Sequence, residues 1–205
     1  MIGVIEYGVA NLGSILNMLR KIGVECCAIS TPEDIHKADK LILPGVGAFD
    51  YGMSALQQRQ MIEPLKHKVL EDKVPILGIC LGMQMLCDGS EEGELPGLCM
   101  INAFSRRFNF TETNTEALKV PHMGWNTLTF NEEGAMFNEL DDKSRFYFVH
   151  SYHVVCQSTD DILATAHYGG DFVAMFNRDN IYGAQFHPEK SHRFGMQLLK
   201  NFTDL

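Results

Sequence analysis

The chain has 205 residues, 45% hydrophobic and 21% charged, a composition that suits one sizeable globular domain or at most two small ones; a single domain over residues 1–205 is expected. Its formal net charge is -9 and its basic residues cluster no further than pairs such as Arg106-Arg107, which argues against nucleic acid or an anionic membrane as a partner. Met1–Glu6 lacks a basic start and a long apolar run, and no segment approaches the roughly 18 apolar residues of a membrane span, so a cytoplasmic protein is expected.

Ile2–Glu6 reads as a buried strand and Tyr7–Asn11 as a loop. Asn11 is expected to cap a helix to about Lys21, with Leu12, Ile15, Leu16 and Leu19 on one face. Val24–Ser30 is a second strand, and Thr31-Pro32 should start a short helix with Thr31 as N-cap. Lys40–Leu43 is a third strand, ending in Pro44-Gly45-Val46-Gly47. Helical stretches follow near Gly52–Gln57 and Met61–Glu71, then the apolar strand Val74–Ile79. Short apolar strands alternating with helices predict an α/β fold: a single domain with a mostly parallel central sheet flanked by helices. Ligand sites in such sheets lie beyond the carboxyl ends of the strands, so Tyr7–Asn11, Pro44–Gly47 and Cys80 should gather on one rim.

Beyond Asp88 the pattern changes. Gly89–Gly97 reads as an acidic loop, and added strands fill the C-terminal half: Cys99–Phe104, Arg106–Phe110, Thr127–Phe130, Arg145–Val149, His153–Gln157, Leu163–Tyr168, Phe172–Asn177 and Ile181–Phe186. Asn177–Asn180 is a hairpin turn, Thr111–Glu116 a polar loop, and Phe194–Phe202 a closing helix.

Gly78-Ile79-Cys80-Leu81-Gly82 has the plan of a nucleophile elbow, with sulfur in place of the serine oxygen. The glycines permit close backbone approach, and the helix that follows aims free N–H groups at the thiol. Alone, the turn fits a buried structural cysteine equally well. Phe186-His187-Pro188-Glu189 follows a strand, and residues two apart in extended chain share a face, so His187 and Glu189 make a base and its orienting carboxylate. Alone, it also reads as a surface turn. Six cysteines without C-x-x-C and eight histidines without a ligand-like spacing predict free thiols, no metal and no cofactor.

The two motifs together resemble the class I (triad) glutamine amidotransferases. Pro44–Phe49, Ser90–Gly93, Pro121–Asn126 and Tyr147–Tyr152 resemble more narrowly the glutaminase subunits of imidazole glycerol phosphate synthases. The likeness runs from the first strand to the last helix. It implies that Cys80 attacks the glutamine amide and leaves a glutamyl thioester, with His187 as base and acid and Glu189 behind it. It implies oxyanion donors at the Leu81 and Val46 N–H groups, the second dependent on how the Val46 peptide is oriented. Glutamine would be held by Gly47, Gln84, Glu92, Ser151 and Tyr152. Ammonia would pass to a (β/α)8-barrel cyclase subunit docked at Asn11, Trp125, Tyr147 and Lys190, in histidine biosynthesis. The alternative within the family is a paralogous subunit supplying ammonia for amidination of bacterial surface sugars.

Overall fold

The computed structural model describes residues 1–8, 10–110, 118–131 and 134–205. The first half runs β1 (Ile2–Ile5), α1 (Leu12–Lys21), β2 (Cys26–Ile29), β3 (Lys40–Gly45), α2 (Phe49–Gln58), α3 (Ile62–Lys66), β4 (Ile76–Cys80) and α4 (Leu81–Met85). The second half runs β5 (Gly89–Ser90), β6 (Ala103–Arg107), β7 (His122–Thr127), β8 (Thr129–Phe130), β9 (Arg145–His150), β10 (Tyr152–Cys156), β11 (Ile162–His167), β12 (Asp171–Arg178), β13 (Ile181–Ala184) and α5 (His192–Asp204).

The strands β2-β1-β3-β4-β13 lie side by side and pair in parallel. From β13 outward, β12, β10 and β6 continue the same sheet antiparallel. The parallel strands are apolar because helices cover both faces. Along β1 the side chains alternate: Ile5 joins the core under α2 and α3, whereas Ile2 and Val4 join the core under α1 and α5. The expected α/β fold with added C-terminal strands is the one found. Among the described residues no helix is long and apolar enough to cross a membrane.

Several local expectations are corrected. Asn11 makes no capping bond; its side-chain oxygen instead accepts from the Ser14 hydroxyl. Thr31 likewise bonds the Asp34 carboxylate rather than a helix N–H, although Pro32 does open the 3-10 turn Pro32–Lys37. The helix expected over Met61–Glu71 is α3 continued by a π turn, His67–Glu71. Cys99–Phe104 and Arg106–Phe110 are replaced by the single strand β6. Cys99 sits at φ 52°, and the amides of Leu98 and Met100 bond the carbonyls of Met85 and Leu86 at the end of α4. The strand β7 is an addition to the elements expected. The polar loop Thr111–Glu116 lies outside the described residues.

Candidate active site

β4 delivers Cys80 into the left-handed region, φ 53° and ψ -109°, and α4 starts at the next residue. A non-glycine residue there is held by its surroundings. Gly82 supplies the reason: a Cβ at that position would lie 1.8 Å from the Leu43 carbonyl oxygen. The first turn of α4 is therefore seated directly on β3. The same packing sets Gly45 opposite Cys80 in the β3–β4 ladder, so the Gly45-Val46-Gly47 segment leaves the sheet beside the thiol. The Tyr7 hydroxyl donates to the Pro44 carbonyl at 2.6 Å and braces that segment from behind. Burial first, and the Cys80 charge second, push the Tyr7 phenol far up, so it remains a donor.

His187 follows β13, the parallel neighbour of β4, which brings it to the same rim. Its Nδ1 lies 2.8 Å from Glu189 Oε1, with both side chains buried. The carboxylate fixes the tautomer, Nδ1 carrying the proton, and leaves Nε2 for the nucleophile. Nε2 has no partner of good hydrogen-bond geometry among the described residues. Burial lowers the His187 pKa, but the nearby Cys80 sulfur and the bonded Glu189 carboxylate outweigh it and raise it to about 10. The turn itself is locked. The His187 N–H donates to the Tyr147 carbonyl, the Ser191 hydroxyl donates to the His187 carbonyl, and the Tyr147 N–H donates to the Ser191 oxygen.

Cys80 and His187 open into a cavity of about 780 Å³. Val46, Gly47, Leu81, Gln84, Glu92, Ser151 and Tyr152 all line it, as do Asn11 and Lys190 from the interface set. Glu189 stands behind the imidazole, outside the lining. Glu92 is anchored, since its Oε2 accepts from the Phe49 N–H at the start of α2. Trp125 and Tyr147 lie apart from the cavity, as cross-strand partners on the two-stranded ribbon β7–β9. Their rings meet edge to face, and Lys190 Nζ lies 5.7 Å from the Tyr147 ring centre. The ribbon's inner face carries His122, Phe146, Phe148 and His150. Its outer face leaves Met123 62% and Trp125 46% exposed.

Sequence reasoning assigns no role to four residues here: Tyr7, Ser191, His122 and Gln185. His150 Nδ1 lies 2.8 Å from the Tyr152 carbonyl and must donate to it. His150 Nε2 therefore accepts from His122 Nδ1 at 3.1 Å. Burial keeps both rings neutral, lowering His122 to about 4 and His150 to about 3. Gln185 is fully buried between Gln84 and Cys80. For Gln185, adjacency to the His-Pro-Glu stretch is the one signal in the sequence. Among the described residues no group of three or more His, Cys, Asp or Glu is placed to hold a metal ion.

The family model Glutamine amidotransferase class-I matches residues 3–205. Among curated proteins, the chain is 50% identical to imidazole glycerol phosphate synthase subunit HisH 2 of Methanococcus maripaludis, over 98% of each chain. It is 50% identical to the subunit of the same name in Pseudomonas aeruginosa, over 100% of each. Subunit HisH of Leptospira borgpetersenii is 41% identical over 100% of each. Of solved structures, PurLQS from Thermotoga maritima superposes with a TM-score of 0.74 at 17% identity, covering 99% of this chain and 97% of that one. The glutaminase domain of Trypanosoma brucei CTPS superposes with a TM-score of 0.65 at 14% identity, covering 99% and 93%. These two structural likenesses speak for the fold.

Proposed function

The chain belongs to the class I glutamine amidotransferases, and from that membership we propose that it is the glutaminase subunit of an imidazole glycerol phosphate synthase, its single domain spanning residues 1–205. The observation that carries the catalytic assignment is the meeting of Cys80 and His187 on one cavity, with Glu189 held 2.8 Å behind the ring.

Cys80 passes its thiol proton to His187 Nε2, and its sulfur attacks the side-chain amide carbon of glutamine. The carbonyl oxygen takes up negative charge, which the Leu81 and Val46 N–H groups stabilise. His187 then gives its proton to the leaving nitrogen, and ammonia departs as the C–N bond breaks. Water, deprotonated by the same imidazole, hydrolyses the thioester to glutamate and returns the thiolate. Glu189 keeps Nε2 aimed at the reacting atoms through both steps. Gly47, Gln84, Glu92, Ser151 and Tyr152 bind the substrate, and the Glu92 carboxylate suits its α-ammonium. Val46 is 39% exposed, so core packing does not pin its side chain, which suits an orientation of its peptide set by the docked partner.

Ammonia set loose in neutral water is mostly protonated and no longer nucleophilic. A glutaminase that serves biosynthesis therefore docks on its acceptor. The exposed Met123 and Trp125 on the ribbon whose Val149 and His150 wall the cavity, with Tyr147, Lys190 and Asn11, support docking of a barrel cyclase subunit on this rim. The test is co-purification with each candidate cyclase subunit, then glutamine hydrolysis and ammonia transfer by the complex. The relatives at 50% identity are each a copy numbered 2, so every barrel subunit of the source organism belongs in the assay. Cys80→Ala should abolish hydrolysis while the complex still forms. Hydrolysis surviving that change would overturn the nucleophile.

A further inference from the structure

We propose that Gln185 is a catalytic residue, its side-chain amide holding the Cys80 sulfur, and that Gln84 is the positioning residue that aims that amide. Gln185 Nε2 lies 3.7 Å from Cys80 Sγ, within reach for a hydrogen bond to sulfur, and the side chain is fully buried.

The direction of this bond follows from one backbone atom. The Tyr152 carbonyl can only accept. Gln84 lies 3.1 Å from it, so the atom of Gln84 placed there is the amide nitrogen. That nitrogen is also 3.1 Å from the Gln185 side chain, and the facing atom of Gln185 must be its oxygen. With its oxygen occupied, Gln185 presents Nε2 to the sulfur. His150 Nδ1 donates to the same Tyr152 carbonyl at 2.8 Å and holds it in place. Reversing either amide would set two oxygens or two nitrogens against each other in a buried site, which costs the desolvation of both groups.

Two consequences follow for the nucleophile. A donor on sulfur favours the thiolate over the thiol, because hydrogen bonds to the charged form are the stronger ones. It also occupies one side of Sγ, so the thiol proton is directed away from Gln185. Gln84 lines the glutamine cavity, whereas Gln185 does not, so substrate contacts at Gln84 are transmitted to sulfur through one shared amide contact.

This inference rests on Cys80 being the nucleophile. The test uses the full chain, alkylated with iodoacetamide across a pH series and followed by mass spectrometry of the Cys80 peptide, and the cyclase complex for turnover. Gln185→Met keeps length and removes the donor. It should raise the pH midpoint of alkylation and lower kcat by about tenfold or more, with KM within about twofold. Gln185→Glu, which sets a carboxylate against sulfur, should raise the midpoint further. A Gln185→Met protein with the parent midpoint and parent kcat overturns the proposal. Should both variants misfold, the unmodified protein decides: one 15N-glutamine side-chain amide should titrate in step with Cys80 alkylation, and its absence overturns the proposal. If alkylating Cys80 leaves glutamine hydrolysis intact, the nucleophile assignment itself falls. If alkylation abolishes hydrolysis and Gln185→Met titrates as the parent does, only the role of Gln185 falls.

Discussion

The charge state of His187 ties chemistry to pH. Its pKa is raised from 6.5 to about 10, burial being outweighed by the nearby Cys80 sulfur and the bonded Glu189 carboxylate. A raised histidine stabilises the fold fully below the unfolded value near 6.5, and that contribution is lost as pH rises to about 10. In the proposed mechanism the same proton is delivered to the leaving ammonia, so activity should share the alkaline limb. Glu189→Gln removes the carboxylate 2.8 Å from Nδ1 and no longer fixes the tautomer. The alkaline limb of kcat/KM should then move down toward the ordinary histidine value, and kcat should fall by about a hundredfold or more. A pH–rate profile of the complex checks this; an unmoved limb would mean that Glu189 does not govern His187. His187 and Glu189 were legible in the sequence because an extended segment puts residues two apart on one face. Gln185, two residues earlier, was not, because its meaning depends on Cys80 and Gln84, 105 and 101 positions away.

Local elements were legible where the chemistry is local. The strand, turn and helix around Cys80 follow from an apolar run broken by Gly78 and Gly82. The ribbon strand β7 was hidden because its inner face reads His122, Gly124, Asn126, a polar pattern with no apolar alternation to mark a core. The strand expected over Cys99–Phe104 failed for the opposite reason: Leu98, Met100 and Ile101 are buried, but as a turn against the end of α4. The elbow's dependence on close approach gives a direct prediction. Gly82→Ala places a methyl 1.8 Å from the Leu43 oxygen, and backbone cannot yield as a side-chain tip does. Lifting α4 off β3 should cost about 1–3 kcal/mol in urea unfolding. Because α4 begins at Leu81, the displacement carries Cys80 with it, and kcat should fall by about a hundredfold. A Gly82→Ala enzyme of parent stability and rate would mean that α4 is not seated on β3 as described. Gly195 holds the second half of the site by the same device: a Cβ there would lie 1.8 Å from the Pro188 carbonyl oxygen, so α5 is seated on the turn that carries His187 and Glu189.

At the scale of the whole molecule, the two halves divide the work. The parallel half carries the proposed nucleophile and the proposed oxyanion segment on β4 and β3. The C-terminal half carries the proposed base on the turn after β13, and the ribbon β7–β9 that walls the cavity. The ribbon has two faces with different duties. Inward, the neutral pair His122 and His150 fixes the Tyr152 carbonyl to which Gln84 is bonded. Outward, Met123 and Trp125 lie exposed beside Tyr147 and Lys190. One thin element thus joins the proposed docking face to the cavity, and β7 is paired along its length with the strand that ends at His150. Trp125→Ala should weaken binding of the barrel subunit by about tenfold or more, as loss of an exposed aromatic anchor does at an interface centre. The folded chain should be little affected, because Trp125 is 46% exposed and its ring contacts, Tyr147 and His192, belong to the surface. Met123→Glu, on the same face, should weaken binding as well by placing a charge where apolar surface is to be buried. Titration of each variant by calorimetry, with thermal melts of the free chain alongside, separates docking from folding. Parent affinity in both variants would place the docking face elsewhere and break the link drawn between the ribbon and the cavity.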